Sequence, residues 1–167
     1  MDKHLASGKL MVQQIDPAEL APGAFVARIR DLVEVQKAKL VVIDSLNGLL
    51  HAMPDERFLI IQLHELLAFL GQQGVATILT MAQQGLLGSN MTNPLDVSYI
   101  ADSVILFRYF ESAGKVKQAI SIMKKRSGPH ERTIRELSFD ERGVHVGRPL
   151  EDFEGVLTGV PKQKEVR

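Results

Sequence analysis

The sequence predicts an α/β domain with a parallel central sheet and an antiparallel extension at one edge. Two continuous apolar runs, KLVVIDS (39–45) and VATILTMAQQ (75–84), are typical of strands covered on both faces, and a long helical pattern separates them. Beyond residue 110 the pattern changes to that of strands joined by short turns. These antiparallel strands are predicted at 115–126, 132–140 and 143–147.

Two further elements precede the first apolar run. KLMVQQI (9–15) is followed directly by Asp-Pro and predicts a first strand. In PGAFVARIRDLVEVQ (22–36), apolar residues recur at helical spacing. Pro22 suits the first turn of that helix, since its missing N–H would have no helical partner there.

The middle of the chain contains a second helix, a loop and a third apolar strand. DERFLIIQLHELLAFLGQQG (55–74) predicts the helix, with Asp55 as its N-cap and Gly74 at its end. Glycine, asparagine and proline punctuate residues 85–97, which predicts a loop. DSVILFRYF (102–110) predicts the strand.

Composition argues against several classes of protein. The chain has 20 Lys and Arg against 20 Asp and Glu, so a net charge of zero argues against a protein that coats a polyanion with its whole surface. It has no cysteine, and its five histidines show no zinc-type spacing. Neither a signal core nor an apolar run of transmembrane length is present, so we expect a cytoplasmic protein without a membrane partner. Aromatic residues are few, which argues against a nucleic-acid partner.

Polar residues follow the predicted parallel strands. Ligands of open α/β sheets bind beyond the carboxyl ends of the strands, which directs attention to Asp44, Ser45 and Gln83. An aspartate after a buried strand, the Walker B pattern, holds hydrated Mg²⁺ on a nucleotide, but Asp44 could instead cap the next helix or a loop. Gln83 could contact a γ-phosphate or orient a water, or it could bind loop backbone.

Positive charge is concentrated in IMKKRSGPHER (122–132). Between residues 115 and 135 there are seven Lys or Arg and one acid, Glu131, a local net charge of +6. This excess favours an anionic partner. The alternative is a solvated hairpin edge whose lysines prevent further strand pairing, which is our interpretation of Lys115, Lys117 and Lys125.

Strand alternation gives two of these cations a common direction. It predicts that Ile120, Ile122, Lys124 and Arg126 lie on one face of the strand. Two cations about 7 Å apart suit a polyanion such as a triphosphate, because Arg offers a fixed fork of donors and Lys a mobile point charge. The turn SGPH would place the His130 ring beside them.

Motifs for several other chemistries are missing from the sequence. LASGKL contains Gly-Lys, but it lacks the first glycine and the Ser or Thr of a GxxxxGK[ST] phosphate-binding loop, and it precedes a strand. No Ser/His/Asp order, paired-carboxylate spacing or HExxH is recognisable, so hydrolysis by those routes is unsupported.

Four strings together resemble the KaiC family of RecA-like ATPases: LVVIDSLNGLL, PLDVSYIADSVILFRYFE, AISIMKKRSGPHERTIRELSF and GVLTGVP. The resemblance extends over residues 5–161, and its most specific part is KKRSGPHERTIRE. It implies a RecA-like sandwich and hexameric rings that bind ATP with Mg²⁺ at each subunit boundary. It also implies that Lys124 and Arg126 act as catalytic cations on the neighbouring subunit's phosphates and that His130 contacts the nucleotide.

The same resemblance implies roles for residues outside the basic segment. Asp44 matches the Walker B aspartate and would hold the metal, while Ser45 and Gln83 would bind nucleotide. Ser98 matches a serine that is autophosphorylated in the clock protein. Tyr99 stands at the companion threonine position, so the resemblance supports phosphorylation only at Ser98.

The match is to the second half of one KaiC-like domain. We therefore expect 1–161 to form a partial KaiC/RecA-like ATPase domain and 162–167 a disordered tail. In the family the first strand, the P-loop helix and a catalytic Glu pair precede the matched part, so this chain alone should be inactive as an ATPase or Ser/Thr autokinase and should expose apolar surface and self-associate. The alternatives are a subunit without a P-loop that docks on an intact KaiC-like ATPase, and a RecA-like nucleic-acid-binding module.

Overall fold

The computed structural model describes residues 2–16, 19, 21–52, 56–82, 99–158 and 161–163. The chain divides into two compact units, Met1–Ala82 and Gln83–Arg167. The first contains helices and a parallel pair of strands, and the second is mostly antiparallel sheet, which confirms the α/β class. Of the helices in the described ranges, none has the length and apolar character that crossing a membrane requires.

The first unit packs helices around a two-stranded sheet. Its strands β1 (Leu40–Ile43) and β2 (Ala76–Leu79) pair in parallel, with Leu40 opposite Ala76. Parallel strands need a long crossover, and two helices supply it. The helices of this unit are α1 (Asp2–Ala6), α2 (Pro22–Glu34), α3 (Leu46–Ala52) and α4 (Glu56–Gln72).

The core of the first unit forms between α2, α4 and the residues around β1. Helix α2 begins at Pro22 as predicted, and its apolar stripe buries Phe25, Ile29 and Val33. Helix α4 buries one leucine on nearly every turn, so its apolar face is continuous. Those leucines are Leu59, Leu63, Leu66 and Leu70.

Gly74 ends the α4 segment as predicted. Its φ of +64° is the left-handed conformation that glycine adopts without a steric penalty, and its N–H donates to the Gly71 carbonyl at 3.1 Å. Asp55, the predicted N-cap, lies outside the described residues. The chain therefore leaves α4 in a single turn and enters β2.

Two predictions for this unit are wrong. Residues 9–15 form no strand, because their backbone pairs with no strand in the described part of the chain; Gln13 Oε1 instead accepts a 2.7 Å hydrogen bond from Arg28 Nε. Strands β1 and β2 are also not covered on both faces. Leu40 and Val42 of β1 are each 55% exposed and Ile78 of β2 is 51% exposed, since an apolar run does not reveal how many faces are covered.

The second unit is a four-stranded antiparallel sheet in the order β3-β4-β5-β6. Its first hairpin turns at Ala113 and Gly114, whose φ values of 52° and 69° match a two-residue turn of the type that fits the sheet's twist. The strands are β3 (Ser103–Ser112), β4 (Lys115–Lys125), β5 (Arg135–Asp140) and β6 (Gly143–Pro149).

A short hairpin follows the sheet. Strands β7 (Phe153–Glu154) and β8 (Lys162–Gln163) pair in antiparallel fashion, and a 3-10 turn, Val156–Thr158, lies between them. Strand β8 occupies the start of the segment predicted to be a disordered tail, and residues 164–167 lie outside the described residues. The Phe110 and Phe153 rings meet edge to face with centroids 5.7 Å apart, so the hairpin covers one face of the sheet.

The opposite face of the sheet carries exposed apolar side chains. Strand alternation and register place seven large ones on this face, each at least 44% exposed. This is apolar surface of the kind the sequence predicts, and self-association through it stays a prediction. The seven residues are Ile105, Phe107, Tyr109, Val116, Phe139, Val144 and Val146.

Replacing Leu66 by alanine should lower the free energy of unfolding by about 2–5 kcal/mol, because its side chain is completely buried in the α4 core. Ile61→Ala is the matched control on the same helix, where the side chain is 55% exposed and the expected change is within about 1 kcal/mol. Urea unfolding followed by circular dichroism measures both. Equal losses in the two variants would contradict this assignment of the core.

The β5–β6 turn contains a pH-sensitive contact. His145 Nε2 lies 2.8 Å from Asp140 Oδ1, and the Arg142 N–H donates to the same oxygen at 2.7 Å. These hydrogen bonds, that from His145 first, lower the pKa of Asp140. The stability that this carboxylate contributes is therefore present above its unfolded pKa of about 3.9 and is lost as the pH falls through the lower folded value.

Replacing His145 by alanine should raise the pKa of Asp140 toward its ordinary value, because the largest cause of the shift is removed. The contribution of Asp140 to stability should then be smaller, and its loss should be complete at a higher pH than in the wild type, because the loss still begins near the unchanged unfolded pKa. Titration of the Asp140 carboxyl by NMR measures the pKa directly. His51→Ala, a histidine change in the first unit, is the control, and an Asp140 titration unaltered by His145→Ala would refute the assignment.

Candidate functional site

Asp44 lies directly beyond the carboxyl end of β1, where the sequence predicts it. Its side chain is exposed, and its Oδ1 accepts a 2.5 Å hydrogen bond from the Thr80 hydroxyl, which follows β2. The Asp44–Ser45 peptide bond is cis, and Ser45 is half-buried. A carboxylate and a hydroxyl thus meet at the edge of the parallel pair where α/β proteins bind ligands.

Asn47 joins the ends of the same two strands through the start of α3. Its Nδ2 donates to the Ala82 carbonyl at 2.9 Å, and its Oδ1 accepts from the Ala82 N–H at 2.7 Å. The Leu46 N–H also donates to the Thr80 carbonyl at 3.0 Å. These contacts fix the backbone immediately before Gln83, which itself lies outside the described residues.

Lys124 and Arg126 converge on one acceptor in the second unit. Lys124 Nζ and Arg126 Nη2 lie 3.4 and 3.2 Å from the carbonyl oxygen of Tyr99. Arg126 Nη1 lies 3.3 Å from Asp102 Oδ1, and the Arg126 N–H donates to the Asp102 carbonyl at 2.7 Å. The two cations therefore reach the same oxygen together, and Asp102 contacts one of them.

A bulge in β4 decides which way Lys124 points. The register changes between Val104 and Ile105: Val104 pairs with Lys124 while Ile105 pairs with Ile122, so Met123 is an extra residue. Because Val104 and Ile105 point to opposite faces, so do Lys124 and Ile122. The prediction that Ile120, Ile122 and Lys124 share one face is therefore wrong at Lys124, since simple alternation does not anticipate an inserted residue.

His130 is half-buried in the loop that follows β4. The loop turns at Gly128, whose φ is +74°, and Lys125 Nζ donates to the Pro129 carbonyl at 3.3 Å. Lys125 therefore supports the turn, while Lys124 and Arg126 contact Tyr99. Adjacent lysines in one KKR motif thus make different contacts.

Acidic residues outside 115–135, the range over which the charge of +6 was counted, neutralise part of the basic segment. Lys117 pairs with Glu136 at 3.0 Å across β4 and β5, and Asp102 pairs with Arg126. Inside that range, Glu131 accepts from Arg135 Nε at 2.7 Å and from Thr133; these contacts, Thr133 first, lower the pKa of Glu131. The local charge of +6 thus overstates the field at the hairpin, which weakens the case for a nucleic-acid interface.

Several residues of the site carry little signal in the sequence. Thr80 binds Asp44, Asp102 binds Arg126, and Asn47 binds the Ala82 backbone before Gln83. An isolated Thr, Asn or Asp near a strand end is common, so spacing alone does not identify it. Arg108 is a further cation: its Nε and Nη1 are buried without a partner in the described part of the chain, and burial lowers its pKa. The predicted phosphorylation site, Ser98, lies outside the described residues.

Comparison with known proteins gives the family. A family model described as ATPase: KaiC matches residues 5–151. The circadian clock protein KaiC3 of Synechocystis is 33% identical over 135 residues, 80% of this chain and 26% of the relative. The circadian clock oscillator protein KaiC of Thermostichus vulcanus is 28% identical over 130 residues, 78% of this chain and 25% of the relative.

A solved structure gives the same fold. A KaiC-like protein from Pyrococcus horikoshii superposes with a TM-score of 0.71 at 24% identity, over 88% of this chain and 64% of that one. The chain therefore shares the fold of that KaiC-like protein. The chain belongs to the KaiC family of ATPases, and it spans about a quarter of the length of the curated relatives it matches.

Replacing Asn47 by alanine should accelerate hydrogen exchange of the Ala82 amide and lower the free energy of unfolding by about 1–2 kcal/mol, because two hydrogen bonds are lost. Asn47→Asp keeps the oxygen that accepts from Ala82 N–H, so the amide should stay protected at a pH where the carboxylate is ionised. Hydrogen exchange followed by NMR distinguishes the variants. An Ala82 amide that exchanges equally fast in wild type and Asn47→Ala would contradict the link.

Proposed function

We propose that the chain supplies part of a KaiC-type site that binds and hydrolyses ATP at the boundary between subunits of a ring. The observation that carries the proposal is the convergence of Lys124 and Arg126 on a single oxygen. Two cations that reach one carbonyl oxygen together can also reach one phosphate group together. Charged oxygens bind such donors more strongly than a neutral carbonyl does.

In this proposal the two cations act on the nucleotide of the neighbouring subunit. Lys124 contributes a mobile charge and Arg126 a planar set of donors, and both stabilise negative charge that develops on the transferred phosphoryl group. His130, from the loop after β4, contacts the nucleotide. The neighbour is a second copy of this chain or an intact KaiC-like paralogue.

The residues around Asp44 fit a hydrated magnesium ion on ATP. Mg²⁺ prefers oxygen ligands, keeps several waters and uses one or two carboxylates together with substrate phosphates. Asp44 offers a carboxylate oxygen beside the Thr80 hydroxyl. The described residues contain no cluster of three or more His, Cys, Asp or Glu that could hold a metal ion. When bound, the ion neutralises phosphate charge.

The remaining assignments follow from the family. Ser45 and Gln83 bind nucleotide beyond the ends of β1 and β2, and Ser98 is the candidate phosphorylation site. Residues 1–161 form part of one KaiC-like ATPase domain of a cytoplasmic protein.

Calorimetric titration with Mg²⁺-ATP tests the proposal. We expect saturable binding to the wild type, weakened at least tenfold in Lys124→Ala/Arg126→Ala, because charge-assisted hydrogen bonds contribute about 1.5–3 kcal/mol each. Sedimentation with and without Mg²⁺-ATP should show assembly that the nucleotide promotes.

The matched control is Lys115→Ala/Arg142→Ala, which removes one lysine and one arginine from other exposed positions of the same unit. Its affinity for Mg²⁺-ATP should stay within about threefold of the wild type, since distant exposed charges are screened. Binding that is absent in the wild type, or equal in both double variants, would refute the role assigned to Lys124 and Arg126.

A further inference from the structure

We propose that the Asp102 carboxylate competes with phosphate anions for Arg126 and lowers the affinity of the Lys124–Arg126 pair for them. This inference rests on the proposed role of the two cations. It concerns a carboxylate that the sequence pattern does not single out and that lies next to the β4 cations in the folded sheet.

Asp102 is attached to Arg126 in two independent ways. The Arg126 N–H donates to the Asp102 carbonyl at 2.7 Å, which continues the β3–β4 pairing beyond Ser103 and Lys125. Separately, Asp102 Oδ1 lies 3.3 Å from Arg126 Nη1. Only the second contact depends on the side chain, so changing the carboxylate leaves the backbone attachment of Arg126 intact.

The carboxylate is not required to orient the guanidinium. Arg126 Nη2 also contacts the Tyr99 carbonyl at 3.2 Å, and that contact together with the backbone hydrogen bond points Arg126 toward the same oxygen as Lys124. The ion pair itself is solvent-exposed, with 58% of the Arg126 side chain and 82% of the Asp102 side chain accessible. Its contribution to orientation is therefore small.

The effect of the carboxylate on an approaching anion is larger. An anion that binds Arg126 must displace or share the Nη1 contact, and an exposed pair of this kind changes an equilibrium by about 1.4- to 5-fold. The anion is also repelled by Asp102, by about twofold for its nearest charge at about 7 Å in water with moderate screening, and its more distant charges add less. Competition and repulsion act in the same direction, so removing the charge should strengthen binding.

The test is a titration of the chain with sodium tripolyphosphate at low salt and without divalent cations. Asp102→Asn should bind about three- to tenfold more tightly than the wild type, and the gain should shrink as salt is raised. Asp102→Glu keeps the charge and should retain the wild-type affinity. In an Arg126→Ala background, Asp102→Asn should give a smaller gain, because one of its two causes is gone.

Asp140→Asn is the matched control, since it removes the same charge from another exposed position of the same unit. It should leave the affinity for tripolyphosphate unchanged. Affinity that is equal or weaker in Asp102→Asn, an equal gain in Asp140→Asn, or no binding in either wild type or Asp102→Asn would overturn the inference. Binding detected only in Asp102→Asn would support it.

The proposed function is tested with a different ligand. An equal affinity for Mg²⁺-ATP in the wild type and in Lys124→Ala/Arg126→Ala would refute that function, whereas the effect of Asp102 is measured with metal-free tripolyphosphate. Tighter tripolyphosphate binding by Asp102→Asn, without any Mg²⁺-ATP binding, would therefore support competition between Asp102 and anions for Arg126. The same result would reject the nucleotide site.

Discussion

The pairing of β3 with β4, and the single extra residue within it, decides the position of the basic group. Ten register pairs join the two strands, and the shift at Val104 and Ile105 leaves Met123 unpaired. This turns Lys124 away from the face of Ile122, toward the carbonyl of Tyr99. Backbone pairing continues through Asp102, so Arg126 is held beside Lys124 although β4 has ended. A bulge that re-aims a side chain beside a functional site is a recurrent use of this irregularity.

In the first unit, side-chain hydrogen bonds connect the segments that follow the two short strands. Strands β1 and β2 have four residues each, too few to fix the loops beyond them by sheet pairing alone. The Asp44–Thr80 contact and the paired hydrogen bonds of Asn47 with Ala82 supply that restraint. They hold an acidic oxygen and the chain before Gln83 at one edge of the sheet. The same polar residues thus stabilise the loops and form the candidate metal position.

Family membership describes the chain as a whole, whereas the local geometry describes the contacts of single side chains. The KaiC match extends over 5–151 and identifies the ATPase family, while the geometry shows which protein groups the cations of that segment contact. Lys117, Lys125 and Arg135 contact separate groups, whereas Lys124 and Arg126 share the Tyr99 carbonyl, and Arg126 also pairs with Asp102. Competition between Asp102 and an anion for Arg126 would make affinity depend on a group that never touches the nucleotide.

The sequence by itself determined the α/β class, the helices at 22–36 and 55–74 to within a few residues, and the antiparallel hairpins, because apolar periodicity and turn glycines are local signals. It also identified Asp44, Lys124 and Arg126 as residues of interest. Only the tertiary structure decided that 9–15 is not a strand and that Lys124 faces away from Ile122. It also decided that Asp102 contacts Arg126, that Thr80 contacts Asp44 and that Asn47 binds the Ala82 backbone. Each of these depends on strand pairing or on a contact between distant residues, which local patterns do not contain.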